Sequence, residues 1–360
     1  MVVQGLITFI AAVAVTFIIT PIVIDIAYQL GIVDRPESRR VHKKIMPRAG
    51  GLSIIFGFSV AFIIAAQFVD LSFGILAAGF IVGLTGFLDD KFQLGPLSKI
   101  AGQLAGVTIL VASGTHIDFL TVPFTDTFIA IPLWISIPIT FIWVIGVTNA
   151  VNLIDGLDGL ASGVSMIASI TILIMAVIMG NIVVIFLATA LIGSILGFLY
   201  FNFHPAKIFM GDTGSLFLGF ILAVISLMGF KQVTTVSLFI PFIVLGVPLT
   251  DTFMAIIRRI LNNQRITDAD KSHLHHKLLD HGYSHTQTVF IIYGIAMLFG
   301  TTAVIFSQSN LFGATVISIL LFVFIELLVE RFSLINKTYR PLLNTAGKII
   351  RYSVNRKSRL

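Results

Sequence analysis

The chain has 360 residues, 57% of them hydrophobic and 11% charged, with a mean hydropathy of +1.02. Soluble domains carry about 25% charged residues, and a soluble globular fold could not hide this much apolar surface. The formal charge of +6 comes without a single cysteine, which removes disulfides, thiolate metal sites and cysteine nucleophiles.

A helix that crosses a bilayer needs about 20 apolar residues, and runs of that kind recur from end to end. They predict about eleven helices, near residues 5–26, 50–68, 72–88, 99–114, 129–147, 159–179, 182–201, 212–229, 235–257, 287–306 and 311–329. Irregular backbone leaves polar groups unpaired in lipid, and these runs lack the alternation of barrel strands, so the fold class is an all-α polytopic membrane protein. Pro132 and Pro138 predict an irregular start to the fifth helix. No basic residue precedes the first run, which therefore reads as a retained helix and not as a cleaved signal peptide. Residues 1–330 are expected to form one transmembrane domain with loops at 31–49, 89–99, 148–158, 202–212 and 258–286, followed by a basic tail over 331–360.

Lys and Arg mark cytoplasmic loops. Of the 23 basic residues, 22 fall at 35–48, at Lys91, Lys99 and Lys207, at 258–277 and at 331–359; Lys231 alone falls on the other side. An odd number of helices, with the amino terminus outside and the carboxyl terminus in the cytoplasm, satisfies this pattern. The positive charge is thus a topology signal and does not indicate nucleic-acid binding. The tail alternates basic with apolar residues, which suits either an interfacial segment on anionic lipids or a solvated basic tail. No insertion rule sorts acids, yet Asp89, Asp90, Asp155, Asp158, Asp212, Asp268, Asp270 and Asp280 fall on the same face.

The third helix ends in Asp89-Asp90-Lys91, before Gly95-Pro96 and Lys99. Adjacent carboxylates repel unless a cation or proton intervenes, so one is expected to face a metal and the other a substrate proton; the plainer alternative is a helix stop signal. Next come Asn149, Asn152, Asp155 and Asp158, at three-residue spacing with two Asp-Gly steps. The two asparagines share a helical face, and such a segment offers amides and carboxylates to a nucleotide. Gly211-Asp212-Thr213-Gly214 then opens a helix. There a carboxylate and bare backbone suit a phosphate and a hard cation, Mg²⁺ or Mn²⁺, and Asp212 or Thr213 also suits an N-cap.

The longest loop carries His273-Leu274-His275-His276-Lys277 and ends at Gly282. It predicts a short helix, capped by an acidic residue, with His273, His276 and Lys277 on one face and Leu274 and Leu278 against the membrane. The spacing is not that of a zinc helix, so hydrogen bonds to a sugar or diphosphate are preferred to zinc. Asp25 and Asp251 lie within apolar spans, where a charge is costly; Asp251 is expected to face the bundle and support the site.

Taken together, Gly31-Ile32-Val33-Asp34-Arg35-Pro36 with Arg39, Arg40 and His42, Pro47-Arg48-Ala49-Gly50-Gly51, Asp89-Asp90, the segment 149–159, Phe209-Met210-Gly211-Asp212 and His-Leu-His-His resemble the polyprenyl-phosphate N-acetylhexosamine-1-phosphate transferases. The helix layout is similar to their N-acetylglucosamine-1-phosphate branch. The resemblance implies transfer of N-acetylglucosamine 1-phosphate from UDP-N-acetylglucosamine to undecaprenyl phosphate, with release of UMP, at the cytoplasmic face of a bacterial cell membrane, as a first membrane step of a wall polymer such as teichoic acid. It implies Mg²⁺ on Asp212, with Asp155 as a second ligand, and catalysis by Asp89 and Asp90. Lys43, Arg48 and Lys99 would add positive charge at the phosphates. Asn149, Asn152, Asp155 and Asp158 would line the uridine diphosphate pocket, Phe209 would stack on uracil, and His273, His275 and His276 would mark the sugar end. Met46-Pro47-Arg48-Ala49 and the interrupted histidine run depart from the muramoyl-pentapeptide branch and argue against that donor. Direct attack by the lipid phosphate is preferred to a phospho-aspartate at Asp89 or Asp90. A homodimer is compatible with this layout. A secondary transporter or lipid flippase is the rival from another class, but it would place its acids near the midplane and show repeats.

Overall fold

The computed structural model describes residues 1–34, 45–121, 128–229, 239–265, 272–336 and 339–345. Helix α1 (Val2–Leu30) stops at Gly31, whose φ of 68° is left-handed and lets the Ile32 amide fold back on the Ala27 carbonyl. Strands β1 (Val33–Asp34) and β2 (Met46–Pro47) pair antiparallel, Val33 opposite Pro47. Then follow α2 (Gly51–Ala65), α3 (Phe73–Phe92) and α4 (Pro96–Ala112). A small hairpin of β3 (Phe119–Thr121) and β4 (Phe128–Ala130) leads to α5 (Leu133–Leu153), α6 (Leu160–Met179), α7 (Ile182–Asn202) and α8 (Gly211–Gly229). The chain continues with α9 (Ile240–Val244), α10 (Gly246–Leu261), α11 (Leu274–Asp280), α12 (His285–Ser307) and α13 (Leu311–Arg331).

Eight of these helices, α1, α3, α5, α6, α7, α8, α12 and α13, are long and apolar enough to cross a membrane, as expected of an integral membrane protein. Helices α2 and α4 are apolar but only 15 and 17 residues long. The ninth expected span, 235–257, is not one helix within the described residues. Its α9 ends at Val244 and α10 starts at Gly246, because Pro248 has no N–H to give and its ring crowds the carbonyl four residues back. Helix α5 does start late, after Pro132, and runs on to Leu153, so Asn149 and Asn152 are helical.

Helix α8 is the axis: nearly all of its residues are buried, whereas α13 lies mostly exposed at the edge. It packs on α2, α3, α5 and α6. The contact with α3 is backbone to backbone. A Cβ added at Gly86 would lie 2.3 Å from the Asp212 carbonyl oxygen, so only glycine lets the end of α3 touch the start of α8. That contact sets the acids of the third helix beside Asp212.

Candidate active site

Four segments meet at the amino end of α8. Residues 47–51 run alongside 209–210: the Phe209 amide donates to Pro47, and the amides of Gly50 and Gly51 donate to Phe209 and Met210. This stitch carries Arg48 to Asp212. Its guanidinium reaches Asp212 Oδ1 at 2.8 Å and Asp90 Oδ1 at 3.1 Å. From the first turn of α4, Lys99 pairs with Asp89 Oδ2 at 2.7 Å and also with Asp212 Oδ2.

The adjacent acids Asp89 and Asp90 do different things. Asp90 has no side-chain exposure. It accepts from the backbone amides of Asp212 and Thr213, each at 2.9 Å, and from the Thr213 hydroxyl at 2.6 Å. A carboxylate from α3 thus caps α8, where the helix dipole favours negative charge. The sequence placed that cap on Asp212 or Thr213 and left the amides for a phosphate; instead Asp90 occupies them. Asp89 faces Lys99 and Asp212.

Asp155, just beyond α5, opens onto the cavity, yet burial pushes its carboxyl up to about 7, with Asp212 adding to the rise and Arg48 opposing it. Four carboxylates (Asp89, Asp90, Asp155 and Asp212) therefore face two cations, Arg48 and Lys99. The oxygen-rich donor set and its surplus of negative charge fit a hard divalent cation.

The cluster borders a cavity of about 780 Å³. Of the side chains singled out in the sequence, Arg48, Lys99, Asn152, Asp155, Asp158, Phe209, Asp212 and His276 line it. Asp89 and Asp90, which stand behind Arg48, Lys99 and Asp212 as their ion-pair and cap partners, do not, and neither do Asn149, His273 and His275. Asn149 exchanges hydrogen bonds with Gln103, at 2.8 and 3.3 Å, and ties α5 to α4, whereas Asn152 donates to Ser215 on α8. One helical turn thus separates a packing asparagine from a cavity asparagine. Lys43, like Arg35, Arg39, Arg40 and His42, lies outside the described residues, as do Asp268 and Asp270.

The acidic cap of α11 comes from α10. Asp251, buried as expected, accepts from the Leu274 amide at 2.9 Å and pairs with His273 Nδ1 at 2.9 Å. Asp25, by contrast, lies exposed on α1. Leu274 and Leu278 are buried, and His276 turns to the cavity. His275 is buried beneath Gly156: a Cβ there would meet its Nε2 at 2.3 Å. Burial, and next the neighbouring His276, pull its imidazole down to about 3 from 6.5. The fold holds this ring neutral while the unfolded chain takes a proton, so stability is lost as pH falls below 6.5. The melting temperature in detergent is expected to drop between about pH 7 and about pH 5, and His275→Asn should flatten that slope. An unchanged slope would remove His275 as the cause.

Asp34, Met46, Asn202, His204 and His285 also line the cavity; none of them carries a role of its own in the sequence, where Asp34 and Met46 enter only within longer motifs. Asn202 accepts from the Gly159 amide and the Ser162 hydroxyl and donates to the Ile208 carbonyl, joining the start of α6 to the loop before α8. His204 Nδ1 lies 2.8 Å from Asp158 Oδ2, and the Asp158 amide donates to His285 Nε2 at 3.2 Å. The two imidazoles stack, with centroids 4.2 Å apart.

Residues 72–230 match glycosyl transferase family 4. Over 347 residues, 96% of this chain and 97% of the relative, the protein is 42% identical to a probable undecaprenyl-phosphate N-acetylglucosaminyl 1-phosphate transferase of Bacillus subtilis (strain 168). It is 34% identical, over 85% of each chain, to a decaprenyl-phosphate N-acetylglucosaminephosphotransferase of Mycobacterium leprae. A phospho-N-acetylmuramoyl-pentapeptide-transferase of Staphylococcus saprophyticus is 33% identical over 81% of this chain and 95% of its own. With near full-length identity at this level, the chain belongs to the polyprenyl-phosphate N-acetylhexosamine-1-phosphate transferases of glycosyl transferase family 4.

Proposed function

We propose that the protein transfers N-acetylglucosamine 1-phosphate from UDP-N-acetylglucosamine to undecaprenyl phosphate and releases UMP, on the cytoplasmic face of a bacterial membrane crossed eleven times, amino terminus outside. The product would enter synthesis of a wall polymer such as teichoic acid. The observation that carries this reading is the Arg48, Lys99, Asp89 and Asp212 cluster at one side of a cavity large enough for a nucleotide sugar. The higher identity to the N-acetylglucosaminyl relative than to the pentapeptide one supports the donor sugar.

Asp212 and Asp155 would hold Mg²⁺, whose chemistry when bound is to polarise the donor diphosphate and neutralise its charge. Arg48 and Lys99 bind phosphate oxygens and keep two anionic substrates together. A phosphate monoester, with a second pKa of about 6, is mostly dianionic at neutral pH and needs positioning more than activation. Asp89 takes the remaining proton when the acceptor arrives monoprotonated. Asp90, with both oxygens engaged by the cap and by Arg48, orders the site and is a poor nucleophile. Direct attack on the donor's β-phosphorus follows as the preferred route.

The test is a donor panel of UDP-N-acetylglucosamine, UDP-N-acetylgalactosamine and UDP-N-acetylmuramoyl-pentapeptide. Each is assayed for UMP release with undecaprenyl phosphate, with Mg²⁺ or with chelator. The reading expects turnover with the first donor, lost on chelation. Turnover with the pentapeptide donor alone would overturn it.

A further inference from the structure

The loop before α8 and the first residue of α12 are far apart in sequence, yet both reach Asp158. Asp158 Oδ2 is held by His204 Nδ1 at 2.8 Å and by the Ala206 amide at 3.2 Å. Its own amide donates to His285 Nε2, so that nitrogen is bare and Nδ1 carries the ring proton. That Nδ1 is buried without a partner among the described residues. A histidine kept only for packing would be expected to satisfy both nitrogens; this one leaves a donor orphaned to grip the Asp158 backbone.

Donor atoms of Asp158, His204 and His285 lie within 4.8 Å of one another, a spacing compatible with a metal. The hydrogen bonds argue otherwise. The single lone pair of His285 Nε2 is spent on a backbone amide, and Asp158 Oδ2 already accepts two hydrogen bonds. What remains is Asp158 Oδ1, an acceptor with no protein hydrogen bond among the described residues, on the wall of the cavity. Arg48 and Lys99 are paired with Asp89, Asp90 and Asp212, and among the described ion pairs neither cation reaches Asp158. A carboxylate there would repel a diphosphate, so it must meet neutral N–H or O–H groups. The stacked imidazoles, Pro205 and Leu157 all line the same cavity, whose apolar and aromatic surface suits a flat base.

We propose that His204 and His285 are positioning residues that fix Asp158 as the hydrogen-bond acceptor for the nucleoside half of the donor, an inference resting on the nucleotide-sugar reading above. The replacements follow from which nitrogen each ring uses. Asparagine can present a donor where Nδ1 of His204 stands, and glutamine an acceptor where Nε2 of His285 stands; phenylalanine keeps the stacking and loses the hydrogen bond.

The experiment measures kcat and KM for UDP-N-acetylglucosamine, and product inhibition by UMP, in His204→Phe, His204→Asn, His285→Phe and His285→Gln. Both phenylalanine variants are expected to raise KM and the UMP inhibition constant together by about tenfold, the loss of one hydrogen bond to a charged group or its frame. Their kcat should stay within about threefold of wild type, and the amide variants should restore both constants to within about threefold. Equal behaviour of phenylalanine and amide variants would overturn the proposal. So would a raised KM with unchanged UMP inhibition, which would put Asp158 on the sugar. Zn²⁺ inhibition of the wild type that His204→Phe abolishes would likewise overturn it, in favour of a metal site. Failure of the wild type to release UMP from this donor defeats the assigned reaction itself, whereas normal turnover with unmoved constants in the phenylalanine variants defeats only the positioning.

Discussion

Asp212→Asn is expected to lower UMP release by at least about 10²–10³-fold, the size of effect seen when one preorganised electrostatic group is removed from a reaction centre. The side chain keeps its shape, but the amide turns a donor toward Lys99 and loses the charge that both Lys99 and Arg48 address. The fold should tolerate the change. Neutralising Asp212 removes attraction to two cations and, at the same time, repulsion from Asp89 and Asp155, so the melting temperature in detergent should move little. Titration with Mg²⁺ is the second readout, and the half-saturating concentration should rise. Turnover near wild type with unaltered metal dependence would sink the assignment of Asp212 as the metal residue.

The second large effect falls on stability. Asp90→Ala would strip the amides of Asp212 and Thr213, the Thr213 hydroxyl and the Arg48 guanidinium of a fully enclosed partner. Leaving a buried donor unsatisfied costs about 1–3 kcal/mol, and three donors lose their acceptor here, so this variant should melt well below wild type. Asp89→Asn is the control. Its carboxylate meets Lys99 and takes no part in the α8 cap, so the variant should stay folded and lose turnover. If Asp90→Ala melted as wild type does, the cap would be the wrong description of Asp90.

These two neighbours illustrate what the sequence could and could not reveal. The Asp-Asp step is visible at once, but which acid is structural depends on Gly86 letting α3 touch α8, and that contact joins residues more than a hundred positions apart. Long apolar runs located the membrane helices because period and length are local properties. The break at Leu245 was less legible: Gly246 and Pro248 were visible, but apolarity ran on through them. Asn149 and Asn152 look equivalent by spacing, and their partners on α4 and α8 separate them. His204 and His285 carried no local signal. Each is a lone histidine near the end of an apolar span, and they acquire meaning only across Asp158, to which His285 is 127 positions distant. The histidine run was visible as a cluster, but burial divides it into a capping partner of Asp251, a ring under Gly156 and a cavity residue.

The pairing of Val33 with Pro47 and of Asp34 with Met46 also bears on how this chain can vary. It closes the connection over 35–44 at its base, so the path that delivers Arg48 to Asp212 starts from a fixed point whatever lies between. Doubling the length of such a connection adds only about 0.6 kcal/mol of closure entropy. A change of length over 35–44 would therefore leave Pro47 in register, whereas a single-residue slip between Pro47 and Gly51 would pull Arg48 away from its acids.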